Sequence, residues 1–225
     1  MFMKGIIFDF NGTLYWDSKL HYDAWREFSK ILRGHSFTDE EMRDKMFGHT
    51  NADIIEYAIG KKPSVEMVEK YAKQKEAFYR EQCLLNKDAL KLASGAIGFL
   101  DFLKENNIPR TIATMSEWDN VEFYIKTFNL EKWFDLDKIV YSDGTIPGKP
   151  APDIFLIASK NINLNPKDCL VVEDAIAGIN SAKNAGIGKI IAIASQEPIE
   201  FYKKIDGISQ IIKSFDEIDR SMFLT

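Results

Sequence analysis

What narrows the fold of this chain most is a set of short apolar runs, each stopping abruptly at a polar or small residue: residues 5–8, 111–113, 139–141, 170–172 and 190–193. Runs of this length without polar alternation suit strands covered on both faces. Helix-like stretches lie between them, at 97–105, after Ser116, after Pro152 and at 176–185. Strand and helix in alternation predict an α/β core, a doubly wound parallel sheet with helices on both faces. Ser116 as an N-cap, Pro152 near a first helical turn and Gly186 just past a helix end punctuate the pattern.

Residues 15–89 interrupt it, with one amphipathic stretch after another and no β-rich run. Leu20, Ala24, Phe28 and Leu32 make an i, i+4 stripe, Thr38 and Glu41 a capping box, and Ile54, Ile55, Ala58 and Ile59 end at Gly60. The segment reads as a helical insertion, so the core is expected at 1–14 and 90–225. A chain of 225 residues with 45% apolar content can bury one good core and a smaller second module. Its net charge of −5, with Lys and Arg dispersed, provides no footprint for nucleic acid or anionic membrane and makes a small molecule the default partner. Cys83 and Cys169 do not suggest a disulfide framework, and no stretch approaches the ~18 apolar residues of a membrane span. With no leader-like start, the expected location is cytoplasmic.

Four segments at predicted strand ends carry chemistry, and the carboxyl edge of an open parallel sheet is where ligands bind. Asp9, Asn11, Gly12 and Thr13 follow the first strand; Thr114, Met115 and Ser116 follow the second. Lys149 stands in Gly148-Lys149-Pro150-Ala151-Pro152, and Glu173-Asp174 close the fourth buried run. Taken singly, each has a plain reading: an Asx turn, a helix N-cap, a surface lysine, an N-cap beside a solvated glutamate. Together they supply a carboxylate, a hydroxyl, a lysine and a carboxylate pair. That set can hold a phosphoryl group, neutralise its charge and bind a hard divalent cation.

In this order the segments resemble the motifs of the haloacid dehalogenase superfamily, specifically its β-phosphoglucomutase-like branch, in which a helical cap is inserted after the first motif. The resemblance covers nearly the whole chain. It implies a phosphatase-type hydrolase for a small phosphorylated metabolite, sugar phosphates foremost, with Asp9 as nucleophile and an aspartyl-phosphate intermediate. Thr114 matches the hydroxyl that orients the phosphoryl group and Lys149 the motif lysine. Thr13, Met115 and Ser116 are the substrate-binding positions of the core. Mg2+ is implied as the cofactor, held by Asp9, the backbone carbonyl of Asn11, Asp174, and Glu173 directly or through water. Residues 15–89 become the cap, with His21, Trp25, Gly48, His49 and Lys75 at hinge or substrate-facing positions. The expected assembly is a monomer or a weak homodimer.

The chain departs from that pattern at Asn11, where the family's phosphatases and phosphomutases carry an aspartate that protonates the leaving alcohol. An amide lacks that proton, which removes a contribution of roughly 10²- to 10⁴-fold unless another group supplies it. Three explanations stay open: an enzyme suited to good leaving groups or borrowing His21 or His49, an engineered change, or a phospho-ligand binding protein with little turnover. Asn51 stands where β-phosphoglucomutases place a phosphate-gripping arginine, which argues against mutase activity. Glu173-Asp174 argues against the metal-free dehalogenases. A phosphonoacetaldehyde hydrolase, with Lys19, Lys45 or Lys75 as a Schiff-base lysine, is disfavoured.

Overall fold

The computed structural model describes residues 2–46, 50–88 and 90–224. From β1 (Gly5–Phe8) the chain runs through helices α1 (Ser18–Arg33), α2 (Asp39–Lys45), α3 (Asn51–Ile59) and α4 (Val65–Leu85). It continues through α5 (Ala96–Glu105), β2 (Arg110–Glu117), α6 (Trp118–Phe128), β3 (Val140–Ser142), α7 (Asp153–Asn161) and β4 (Cys169–Glu173). The last elements are α8 (Ile176–Asn184), β5 (Lys189–Ile193), α9 (Ile199–Tyr202) and β6 (Gln210–Ile212). The chain divides into two compact units, Met1–Trp16 with Lys91–Thr225, and Asp17–Leu90.

The first unit is built on one sheet of order β3-β2-β1-β4-β5-β6, and every pairing is parallel. Its central strands carry apolar runs because both faces are covered: all four residues of β1 and all five of β4, the terminal Glu173 included, are buried. Ile7, Val171 and Ala192 pack with Ile154, Phe155 and Ile179 from α7 and α8, and on the opposite face Phe8 meets Phe99, Phe134 and Phe215. Each fully buried side chain of this kind contributes about 1.5–3 kcal/mol relative to exposure. Strand order reverses beside β1, with β2 and β3 on one side and β4 to β6 on the other, which opens a crevice at the carboxyl edge between β1 and β4. Register brings Phe8 level with Ile112 and with Val172, so the residues just beyond share one edge.

The second unit packs α1, α3 and α4 around Trp25, Phe28, Phe37, Met42, Ile54, Ile55, Ala58 and Ala72. Leu20, Ala24 and Phe28 of the α1 stripe are buried, and Leu32 packs at its margin. The Thr38–Glu41 capping box forms, and Gly60 closes α3 at φ 70° in the left-handed region that favours glycine. Arg33 grips both carboxylate oxygens of Glu41 at 2.6 and 2.7 Å, a hydrogen-bonded pair that holds the Glu41 carboxyl far below its usual range.

The structure corrects the sequence reading at three places. β2 continues through Glu117, so Ser116 is in the strand and Glu117 occupies the N-cap position of α6 without a side-chain cap. β3 begins at Val140, one residue later than its apolar run. β6 was not anticipated: it is a three-residue edge strand of which only Ile212 is buried, too short and too exposed to stand out as an apolar run.

Candidate active site

β1 delivers Asp9 to the carboxyl edge, where its backbone N–H donates to Val172 O at 3.1 Å. The chain must then turn, and Gly12 does so at φ 77°; a Cβ there would come within 2.2 Å of Asp174 Oδ2. Thr13, wholly buried, points its hydroxyl at Asp174 Oδ1, 3.0 Å away. From the other side Gln196 Nε2 donates to Asp174 Oδ2 at 2.5 Å, and the Tyr202 hydroxyl donates to the Asp174 carbonyl at 2.8 Å.

Lys149 joins the ends of β1 and β4. Its Nζ lies 2.6 Å from Asp9 Oδ1 and 2.5 Å from Glu173 Oε1, and it sits over the Phe155 ring. Burial by itself lowers the Lys149 pKa, but Asp9 and Glu173 outweigh it and hold the ammonium above the ordinary lysine range. Glu173 Oε2 accepts the Ala175 N–H at 2.7 Å, and Gly178 makes room for this carboxylate: a Cβ there would meet Oε1 at 1.7 Å.

Asp9, Glu173 and Asp174 against Lys149 leave more negative than positive charge in a buried cluster. Asp174 registers the imbalance, its pKa raised well above the ordinary value by burial and then by Glu173 and Asp9. Excess anionic oxygen around a buried carboxylate is a donor set for a hard divalent cation. The residues therefore fit such an ion chemically. Among the described residues, however, no group of three or more His, Cys, Asp or Glu is arranged as a ready coordination shell. The reason is visible in the contacts: Lys149 draws Asp9 and Glu173, while Thr13 and Gln196 engage Asp174.

The side chain of Asn11 faces β2 and α6. Its Oδ1 accepts from Ser116 Oγ at 2.7 Å and from Thr114 Oγ1 at 3.3 Å, and its Nδ2 donates to the Tyr124 hydroxyl at 2.7 Å. Thr114 Oγ1 also accepts the Ser116 N–H at 3.1 Å. Met115, between them, is partly buried and packs against the apolar core under the sheet.

Within the helical unit, His21 and Lys75 come together. Lys75 Nζ donates to His21 Nδ1 and to Glu76 Oε1, both at 2.9 Å, while His21 Nε2 lies 3.3 Å from Asp17 Oδ2. An ammonium only donates, so Nδ1 accepts and the ring proton sits on Nε2, toward Asp17. The ring stacks on Tyr79 at 3.8 Å, and Asn51 Nδ2 donates to Glu76 Oε1 at 3.0 Å. Trp25 is 4% exposed and packs in the aromatic core of the helical unit, with the Lys75 ammonium over its ring. Gly48 and His49 lie outside the described residues.

A family model of haloacid dehalogenase-like hydrolases matches residues 3–186. The chain belongs to that family. A HAD hydrolase of family IA, variant 3, from Entamoeba histolytica superposes with a TM-score of 0.91 at 43% identity, covering 98% of this chain and 97% of that one. A phosphorylated carbohydrates phosphatase of Thermotoga maritima is 28% identical over 194 residues, 85% of either chain. The β-phosphoglucomutase of Bacillus subtilis is 29% identical over 190 residues, 82% of this chain and 81% of that one. In this haloacid dehalogenase-like hydrolase, sequence reasoning missed Tyr124, Gln196 and Tyr202. Tyr124 falls on the buried face of α6 with Asn120, Val121 and Phe128 and reads as core. Gln196 had a usable signal, since it follows β5 at the same sheet edge as the other site residues.

Proposed function

We propose that this chain is a magnesium-dependent phosphatase for small phosphorylated metabolites, with Asp9 as nucleophile. The observation that carries the reading is Lys149 bridging Asp9 and Glu173 beside the β1/β4 crevice. A lysine so placed aims Asp9 Oδ1 and offers its charge to the phosphoryl oxygens as Asp9 bonds to phosphorus, the bond from phosphorus to the ester oxygen breaks, and that oxygen departs as its anion. Thr114 and the N–H groups opening α6 supply donors for those oxygens. Magnesium, held by Asp9, the Asn11 carbonyl, Asp174 and Glu173, would neutralise the remaining negative charge. Water then hydrolyses the aspartyl-phosphate and restores Asp9. The relatives named as a carbohydrate phosphatase and a phosphoglucomutase support sugar phosphates as the first class to try. Phosphatase is favoured over mutase because Asn51, an amide paired with Glu76, stands where a mutase needs a phosphate-gripping cation.

Asn11 sets the preference among leaving groups. Without a proton to give, the site favours esters that depart as stable anions, aryl and acyl phosphates, over alkyl phosphates. The test is turnover of aryl, acyl and alkyl phosphates by the parent, Asp9→Asn and Asn11→Asp with magnesium or chelator. The expected result is magnesium-dependent turnover that Asp9→Asn abolishes, and an alkyl-phosphate rate that rises at least about tenfold in Asn11→Asp. Undiminished turnover by Asp9→Asn would overturn the assignment of the nucleophile.

A further inference from the structure

The side chain at position 11 is tied into the fold on both sides. The anchor on the far side is Tyr124, 1% exposed and stacked on Phe10 with ring centroids 4.4 Å apart and planes 21° off parallel. A phenol pinned in this way cannot follow a moving side chain, so its hydroxyl is a fixed point. The opposite anchor is Ser116, whose 2.7 Å bond to Asn11 Oδ1 is much shorter than the 3.3 Å bond from Thr114. Of the two hydroxyls, Thr114 is therefore the one free to turn to a phosphoryl oxygen while Asn11 keeps Ser116.

We propose that Tyr124 is a positioning residue that locks the side chain of residue 11 toward β2 and α6 and limits its reach to a departing oxygen. The proposal rests on the phosphatase reading for its kinetic arm and on the hydrogen bonds alone for its spectroscopic arm. A phenol both accepts and donates, so the lock suits either residue at position 11. It accepts from the Asn11 amide, and it would donate to an aspartate in the same place, which would then face the hydroxyls of Tyr124, Ser116 and Thr114. Restoring aspartate alone thus restores only part of its reach. Tyr124→Phe removes the lock while keeping the ring stacked on Phe10.

Two measurements test this on the full chain. In the first, kcat and KM are determined for an alkyl and an aryl phosphate with the parent, Tyr124→Phe, Asn11→Asp and the double variant. The double variant is expected to exceed the product of the single effects on kcat for the alkyl phosphate by roughly 10- to 100-fold, the weight of one charge-assisted hydrogen bond. KM should change little, and the aryl phosphate should show no such excess. Independent, multiplying effects, or an equal excess on both substrates, would overturn the proposal. In the second, the Asn11 side-chain amide resonances, assigned by their loss in Asn11→Asp, are followed by nitrogen-15 NMR. Tyr124→Phe is expected to shift them and to speed their proton exchange at least tenfold, whereas unchanged shifts and exchange would overturn the lock even if no phosphoester is turned over.

Discussion

Replacing Lys149 with methionine separates the electrostatic part of this site from its packing. Methionine keeps an unbranched stem beside Phe155 and removes the ammonium that holds Asp9 at 2.6 Å and Glu173 at 2.5 Å. Removing one member of a buried ion pair costs about 3–5 kcal/mol, because the remaining charges stay buried without a partner. At about 2–4 °C per kcal/mol for a chain of this size, the melting temperature in chelator should fall by roughly 6–20 °C. The variant then has three carboxylates and no lysine, so a cation should stabilise it more than it stabilises the parent. A ligand at 100 times its Kd contributes about 2.7 kcal/mol, enough to recover much of the loss. Thermal denaturation followed by circular dichroism, in chelator and in saturating magnesium, reads both effects, and phosphatase turnover should be lost in both. A melting temperature within about 2 °C of the parent in chelator, or an equal magnesium effect in both proteins, would refute the reasoning that Lys149 is the counter-charge of this cluster.

Gly178→Ala should displace the Glu173 carboxylate, which a Cβ would approach to 1.7 Å, and lower turnover at least about tenfold; parent-like kinetics would show that this close approach is dispensable. Because the Asp174 pKa is raised, that group contributes stability below its unfolded value of about 3.9 and loses it as pH rises through the raised value. In chelator, Asp174→Asn should therefore gain on the parent in melting temperature between mildly acidic and neutral pH, and a gap that narrows or reverses would contradict the sign. Cys169, whose thiol is pushed up to about 11 by burial, and Cys83, fully buried, should resist iodoacetamide in the native protein at neutral pH. Mass spectrometry showing prompt alkylation of Cys169 before unfolding would count against its place in β4.

The core strands were legible in the sequence because burial on both faces leaves an unbroken apolar run, as in Leu170, Val171 and Val172. The same logic hid β6, where a half-exposed Gln210 opens a strand of three residues. Asp9, Lys149, Glu173 and Asp174 were legible only as a set: Asp9, Glu173 and Asp174 close apolar runs and Lys149 stands in a proline-framed turn, and the structure brings the four together. Tyr124 was not legible: an aromatic residue on a helix's buried face looks the same whether or not its hydroxyl meets Asn11. Trp25 packs into the core of the helical unit, which its place on the α1 stripe side did not reveal. Ser116 was read as a cap because serine before a helix usually is one, whereas β2 runs on to Glu117, four residues past its apolar run, and leaves the Ser116 hydroxyl to Asn11.

The insertion of the helical unit after β1 also sets a timetable for synthesis. β1 is the strand flanked by β2 and β4, yet it precedes both in the chain, and its partners begin only at Arg110 and Cys169. At about 5–20 residues per second, β1 waits roughly 5–20 s for β2 and 8–30 s for β4. During that interval Ile6, Ile7 and Phe8 have no sheet to enter, while α1 to α4 have already emerged and make contacts close in sequence, which form fast. Until those partners are made, β1 is an apolar strand without a sheet to cover it. Asp9 can meet Lys149 and Glu173 only after residue 173 has been made, so a translation product that stops before it lacks this cluster.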